Sequence, residues 1–175
     1  MKNKNEFWNE MLKPFVVLVV ICLASAGLLG FLHSKTAPVI EENARIKAEE
    51  TRKSVLPAAD GFEEVAVPEG ADVKSIYKAT NGAGYVVTAV SYGYHGDVTV
   101  TIGFDADGKV QNLTADVKTE TSGVGSKAGQ PDYLNKFLGK SGSVADVDTI
   151  SGATYSSSAV HTAVQNAMDA LAKVK

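Results

Sequence analysis

The residues best placed to do chemistry lie in Asp148-Thr149-Ile150-Ser151-Gly152-Ala153-Thr154, a stretch that runs straight into the last predicted helix. Two readings are open. One is a strand, a Ser-Gly turn and a threonine near a helix N-cap. The other is an anion site, in which the first turn of the helix presents unpaired N–H groups and the positive end of its dipole to a phosphate. Gly152 and Ala153 would let that anion approach the backbone, and the Thr154 hydroxyl would stand beside it. Other chemistries find less support. His33, His95 and His161 are far apart and lack partnering cysteines or paired carboxylates, which argues against a zinc or hydrolytic metal site. Ser156-Ser157-Ser158 has no G-x-S-x-G elbow and no assignable triad, so these serines read as helix caps. Asp105-Ala106-Asp107-Gly108 lacks the third acid and the distal Glu of a calcium loop and reads as a turn. Cys22 is the only cysteine, which excludes an internal disulfide and any all-cysteine metal or iron–sulfur centre. Redox work in this chain has to come from an acquired cofactor. No residue is assigned a catalytic role, and none a metal.

Those residues need elements to hold them, and the first element is apolar. Pro14 to Leu32 is a run of 19 residues without a charge. As a helix it spans roughly 28 Å, close to the hydrocarbon core of about 30 Å. Phe7 and Trp8 suit the interface, and Lys2, Lys4 and Lys13 favour a cytoplasmic N-terminus. Ala24-Ser25-Ala26 offers a signal-peptidase site, but the apolar run continues through Leu28, Leu29, Phe31 and Leu32, which favours a retained anchor. The expected organisation is a cytoplasmic N-terminus at 1–13, a transmembrane helix at 14–33, a juxtamembrane helix or linker at 34–57 and an extracytoplasmic domain at 58–175. Beyond residue 33 the chain carries 14 basic and 18 acidic groups, a net charge of −4, against −3 for the whole. A mildly acidic chain without basic clusters is unsuited to gripping nucleic acid.

Residues 40–55 are strong helix formers of both charge signs, ended by Pro57. The acidic stretch 60–72 reads as a solvated connection. From residue 75 the period changes to two. Ser75–Ala79 and Gly84–Tyr92 flank an Asn81-Gly82 turn, and Gly96–Phe104 and Lys109–Val117 flank Asp107-Gly108, giving two hairpins. Val98, Val100, Ile102 and Phe104 share one face. Thr119–Gln130, rich in Gly, Ser and Thr, reads as a loop. A short helix over Asp132–Leu138 and a short strand over Asp146–Ile150 follow. The chain closes in an amphipathic helix, Ser157–Lys173, with Val160, Val164, Ala167, Leu171 and Val174 on one stripe. Strands followed by helices predict an α+β domain behind one transmembrane helix.

The D-x-x-S-G-A-T pattern resembles the flavinylation motif of the FMN-binding domain family. That resemblance implies covalent FMN on Thr154 through a phosphoester bond, installed by a dedicated flavin transferase outside the cytoplasm, with Asp148, Ser151, Gly152 and Ala153 completing the motif. The loop from Thr119 to Lys127 is similar to the E-T-P-G-L-G segment of the G subunit of the Rnf complex. Glu120, Thr121, Gly123 and Gly125 agree, whereas Ser122 replaces Pro and Val124 replaces Leu. Gly93-Tyr94-His95-Gly96 resembles that family's G-Y-G-G turn, with His95 as a departure, and Phe137-Leu138-Gly139-Lys140 its F-x-G-K stretch. What the resemblance implies is a membrane-anchored electron carrier among other membrane subunits of a ferredoxin:NAD+ oxidoreductase that moves Na+ or H+. Glu120 and Thr121 are then expected near the flavin, with Gly123 and Gly125 allowing close approach. The same motif serves the C subunit of the Na+-translocating NADH:quinone reductase and free-standing surface flavoproteins. A non-redox anchored module, with Thr154 only a cap, is the remaining alternative.

Overall fold

The computed structural model describes residues 12–175. Lys2, Lys4, Phe7 and Trp8, and with them most of the predicted cytoplasmic segment, lie outside the described residues. The chain divides into two units, Met1–Lys47 and Ala48–Lys175. In the first, the apolar run belongs to helix α1, Lys13–Val55. Its apolar window is not buried by the rest of the chain, and Phe15, Leu23, Leu29 and Phe31 stand exposed. Its length and composition fit a membrane anchor, because hydrocarbon covers apolar surface that water penalises. Membrane and juxtamembrane helices are expected separately, but they are joined, with Pro38 inside α1. The Ala, Glu, Lys and Arg residues that follow propagate the helix past one unfavourable proline.

The second unit is an antiparallel sheet in the order β1 (Phe62–Val65), β2 (Ser75–Ala79), β3 (Gly84–Tyr92), β4 (Asp97–Asp105), β5 (Val110–Asp116). A short helix α2, Pro131–Leu134, continues as a 3-10 turn to Phe137, and helix α3, Thr154–Val174, ends the domain. The architecture is α+β, as predicted. Asn81 fixes the first hairpin turn: its Oδ1 accepts the Ala83 N–H at 3.1 Å and its Nδ2 donates to the Ala58 carbonyl at 2.7 Å. Val98, Val100, Ile102 and Phe104 are fully buried and share one core with Val160, Val164, Ala167 and Leu171 of α3. Each such large apolar side chain contributes roughly 1.5–3 kcal/mol, so this face holds the domain together. Adjacent strand residues point to opposite faces. Val87 therefore joins this core, while Val86 joins a second, smaller cluster with Ala79 and the helix-end residues Val55 and Leu56.

Two of the strand expectations differ from the structure. The acidic connection contains β1, which pairs with β2 from Phe62↔Ala79 to Val65↔Ile76. Its Glu63 and Glu64 are exposed, and charge on an edge strand discourages pairing with other chains. Conversely, Asp146–Ile150 forms no strand. Side chains of α3 hold the chain at its two ends instead: just before it, Gln165 Oε1 accepts the Val144 N–H at 3.1 Å and His161 Nε2 donates to the Val144 carbonyl at 2.8 Å, and at its last residue Ser157 Oγ accepts the Ile150 N–H at 3.0 Å.

Candidate functional site

Helix α3 starts at Thr154, three residues before its predicted start, because Ile150 to Ala153 closes a tight turn with the Ala153 N–H on the Ile150 carbonyl at 3.0 Å. Gly152 is the third residue of that turn with φ +82, a conformation that favours glycine. The cap position is Ala153, and no side chain caps the helix. The amides of Thr154, Tyr155 and Ser156 consequently have no partner within the helix. Thr154 is exposed, and among the described residues its hydroxyl makes no hydrogen bond.

Ser156 and Ser157 are not caps. They are buried in the first turn and serve two different neighbours. Ser157 donates to the Ala153 carbonyl at 2.9 Å while accepting from Ile150, which fastens the turn to the helix. Ser156 donates its hydroxyl to Glu120 Oε2.

Glu120 is the buried acid of the domain, 6% exposed. Its Oε1 accepts the Tyr94 N–H at 3.0 Å and the His95 N–H at 3.1 Å. One carboxylate thus ties the β3–β4 turn to the start of α3. Burial by itself pushes this carboxyl up, but the Ser156 hydroxyl, the His95 and Tyr94 amides and the His95 ring overcome it and hold the group below the usual carboxylate range. The space around it admits no further side chains: a Cβ on Gly93 would stand 2.5 Å from Oε1, and one on Gly125 would stand 2.9 Å from Oε2 and 2.6 Å from Ser156 Oγ. Thr121 Oγ1 lies 3.4 Å from His95 Nδ1 on the same side.

These elements surround a cleft of about 260 Å³ lined by Tyr94, Thr121, Val124, Gly125, Gly152, Ala153, Thr154, Tyr155 and Ser156. The cleft brings together Thr121 and Gly125 from the loop with Gly152, Ala153 and Thr154 from the motif. Glu120 sits behind the lining, with both oxygens bonded to protein donors. Gly123, Asp148 and Ser151 are exposed and outside the lining. Tyr155, Ser156 and the apolar rim residue Val124 complete a wall that motif spacing does not announce. A hydroxyl, an uncapped helix start and exposed aromatic rings in one cleft suit a phosphorylated planar ring system.

Residues 93–169 match the FMN-binding domain family, from the first residue of the turn held by Glu120 into α3. The G subunit of the ion-translocating oxidoreductase complex of Methanosarcina acetivorans is 30% identical over 179 residues, covering 92% of this chain and 94% of that relative. The chain belongs to this G-subunit family. Two further members are similar to it. The G subunit of the Na+-translocating ferredoxin:NAD+ oxidoreductase complex of Acetobacterium woodii is 31% identical over 150 residues, 77% of this chain and 72% of the relative. Its counterpart in the proton-translocating ferredoxin:NAD+ oxidoreductase complex of Clostridium ljungdahlii is 25% identical over 162 residues, 87% and 86% respectively. The match to FMN-binding domains gives this domain a ligand class, FMN. The lining fits it, with polar backbone and a hydroxyl at the helix start and apolar rings at the mouth. Among the described residues no cluster of His, Cys, Asp and Glu could hold a metal.

Proposed function

We propose that this protein is the membrane-anchored flavoprotein subunit of an Rnf-type ferredoxin:NAD+ oxidoreductase that moves Na+ or H+, relaying electrons through FMN esterified to Thr154. The observation that carries the reading is the exposed Thr154 hydroxyl at an uncapped helix start, inside the segment that matches FMN-binding domains. FMN supplies reversible electron transfer at its isoalloxazine ring. The residues of this chain bind and orient it. The free amides of the first turn of α3 and the helix dipole offset the phosphate charge. Gly152 keeps the approach to the backbone open, since nothing lies within 4 Å of where its Cβ would stand. Thr121 and Gly125 form the opposite side of the cleft, and Glu120 braces it from behind. Asp148, Ser151 and Ala153 complete the motif a flavin transferase reads, and Gly123 shapes the neighbouring loop. Lys2, Lys4 and Lys13 favour a cytoplasmic N-terminus, a single crossing and a flavin domain outside. The other subunits of the complex supply and accept the electrons.

The test is expression with and without a flavin transferase, followed by denaturing electrophoresis under ultraviolet light. A fluorescent band is expected only with the transferase and only with Thr154 present. Thr154→Val abolishes it. A band that survives in that variant places the attachment elsewhere.

A further inference from the structure

Two tyrosines at the mouth of the cleft are unusually bare. Tyr94 is 60% and Tyr155 73% exposed, and their ring centroids are 6.0 Å apart at an interplanar angle of 45°. Among the described residues neither phenol makes a hydrogen bond, so their position owes nothing to their polar ends. It comes from the backbone and, for Tyr94, from an edge-on contact with the His95 ring, centroids 4.7 Å apart at 83°. The Tyr94 N–H is held by Glu120, and Tyr155 is the second residue of α3, next to a serine that bonds the same carboxylate. Val124, 44% exposed, continues the apolar rim. Apolar side chains fixed around one opening in this way suit a flat aromatic ligand. The spacing also says how such a ligand can sit. A planar ring held between two aromatic faces needs a gap of about 7–8 Å, two carbon contacts of about 3.5–4.0 Å each. Rings 6.0 Å apart and inclined at 45° leave no such gap.

We propose that Tyr94 and Tyr155 form a one-sided aromatic wall against the isoalloxazine, one ring stacking on its face and the other, inclined to it, touching its edge, with the opposite face left open. The proposal rests on covalent attachment at Thr154 and adds which residues position the ring. A phenol touching a photoexcited flavin quenches its emission by lending an electron that returns in the dark, so contact is readable without any turnover. Full-length protein co-expressed with the transferase is weighed intact, and emission per bound flavin is measured in buffer and in urea. Wild-type emission should be low when folded and rise severalfold on unfolding. Y94F/Y155F keeps the ring shapes but loses the easily oxidised phenols, so its folded emission should rise severalfold while its unfolded emission matches wild type. Equal folded emission from flavin-loaded wild type and variant overturns the proposal. If the double variant takes up no flavin, Y94F and Y155F singly carry the comparison, and wild-type emission that fails to rise on unfolding also overturns it. A wild-type chain without flavin mass overturns the covalent reading and this proposal together.

Discussion

Glu120 is the residue on which the geometry of the cleft turns, and its hydrogen bonds have a pH signature. Its carboxyl is held below the ordinary value in the folded protein. A group with a depressed folded pKa contributes stability that is complete above its unfolded value and is lost as pH falls through the folded one. Wild-type thermal stability should therefore drop on acidification below about pH 4. Glu120→Gln keeps an oxygen for the Tyr94 and His95 amides but cannot titrate, so its stability should fall less over that range. Parallel curves for the two proteins would remove Glu120 from the acid response. Glu120→Ala leaves both amides and Ser156 without their partner and should destabilise the domain by about 1–3 kcal/mol, measured by denaturant unfolding. The identity of Glu120 was readable from the loop motif, but its role was not. Its partners Tyr94 and Ser156 lie 26 and 36 residues away, and no local period reports a contact at that distance.

At the scale of elements, the strands that alternate cleanly were the ones legible in advance. Ser75–Ala79 and Gly84–Tyr92 form over the residues their pattern marks, because one face is buried and turn chemistry fixes the ends. β1 was hidden because its two central residues are both acidic and both face water. Asp146–Ile150 misled for the opposite reason. Val147 is buried and Ile150 half-buried, so the segment looks like a strand, yet the Val147 N–H closes a local turn on the Val144 carbonyl and the Ile150 N–H goes to Ser157 of α3. A serine run reads as a cap and so puts the helix start three residues late, whereas Ser156 and Ser157 make their bonds from inside the first turn. Ser157→Ala tests this arrangement. It leaves the Ile150 N–H without its acceptor, at a cost of about 1–3 kcal/mol. The expected result is a lower melting temperature together with slower flavin attachment at Thr154. Unchanged attachment with an unchanged melt would show that the turn holds without it.

For the whole molecule, the decisive point is where the soluble domain begins. The sequence pattern places that boundary at 58, after the proline that ends α1. In the structure Val55 and Leu56 are buried with Ala79 and Val86, the Arg52 guanidinium lies 4.2 Å from the Tyr77 ring centroid, and Asn112 Nδ2 donates to the Ser54 carbonyl at 3.2 Å. A soluble fragment beginning at Ala48 should fold with a cooperative melt, whereas one beginning at residue 58 should melt lower or aggregate, having bared one face of its sheet. Equal melts would mean that the helix end adds nothing to the core. A different consequence follows from the bonds that bind 142–153 to α3. Gly142, Val144 and Ile150 are held by Gln165, His161 and Ser157. Among the described residues none of the hydrogen bonds of this segment reaches the sheet. Motif and helix thus form one cassette that rests on an apolar platform and is clasped at its start by the Ser156–Glu120 bond. Away from the Glu120 clasp the sheet meets this cassette through apolar packing alone, so its core residues are free to exchange among apolar types over evolutionary time while Thr154 keeps its setting.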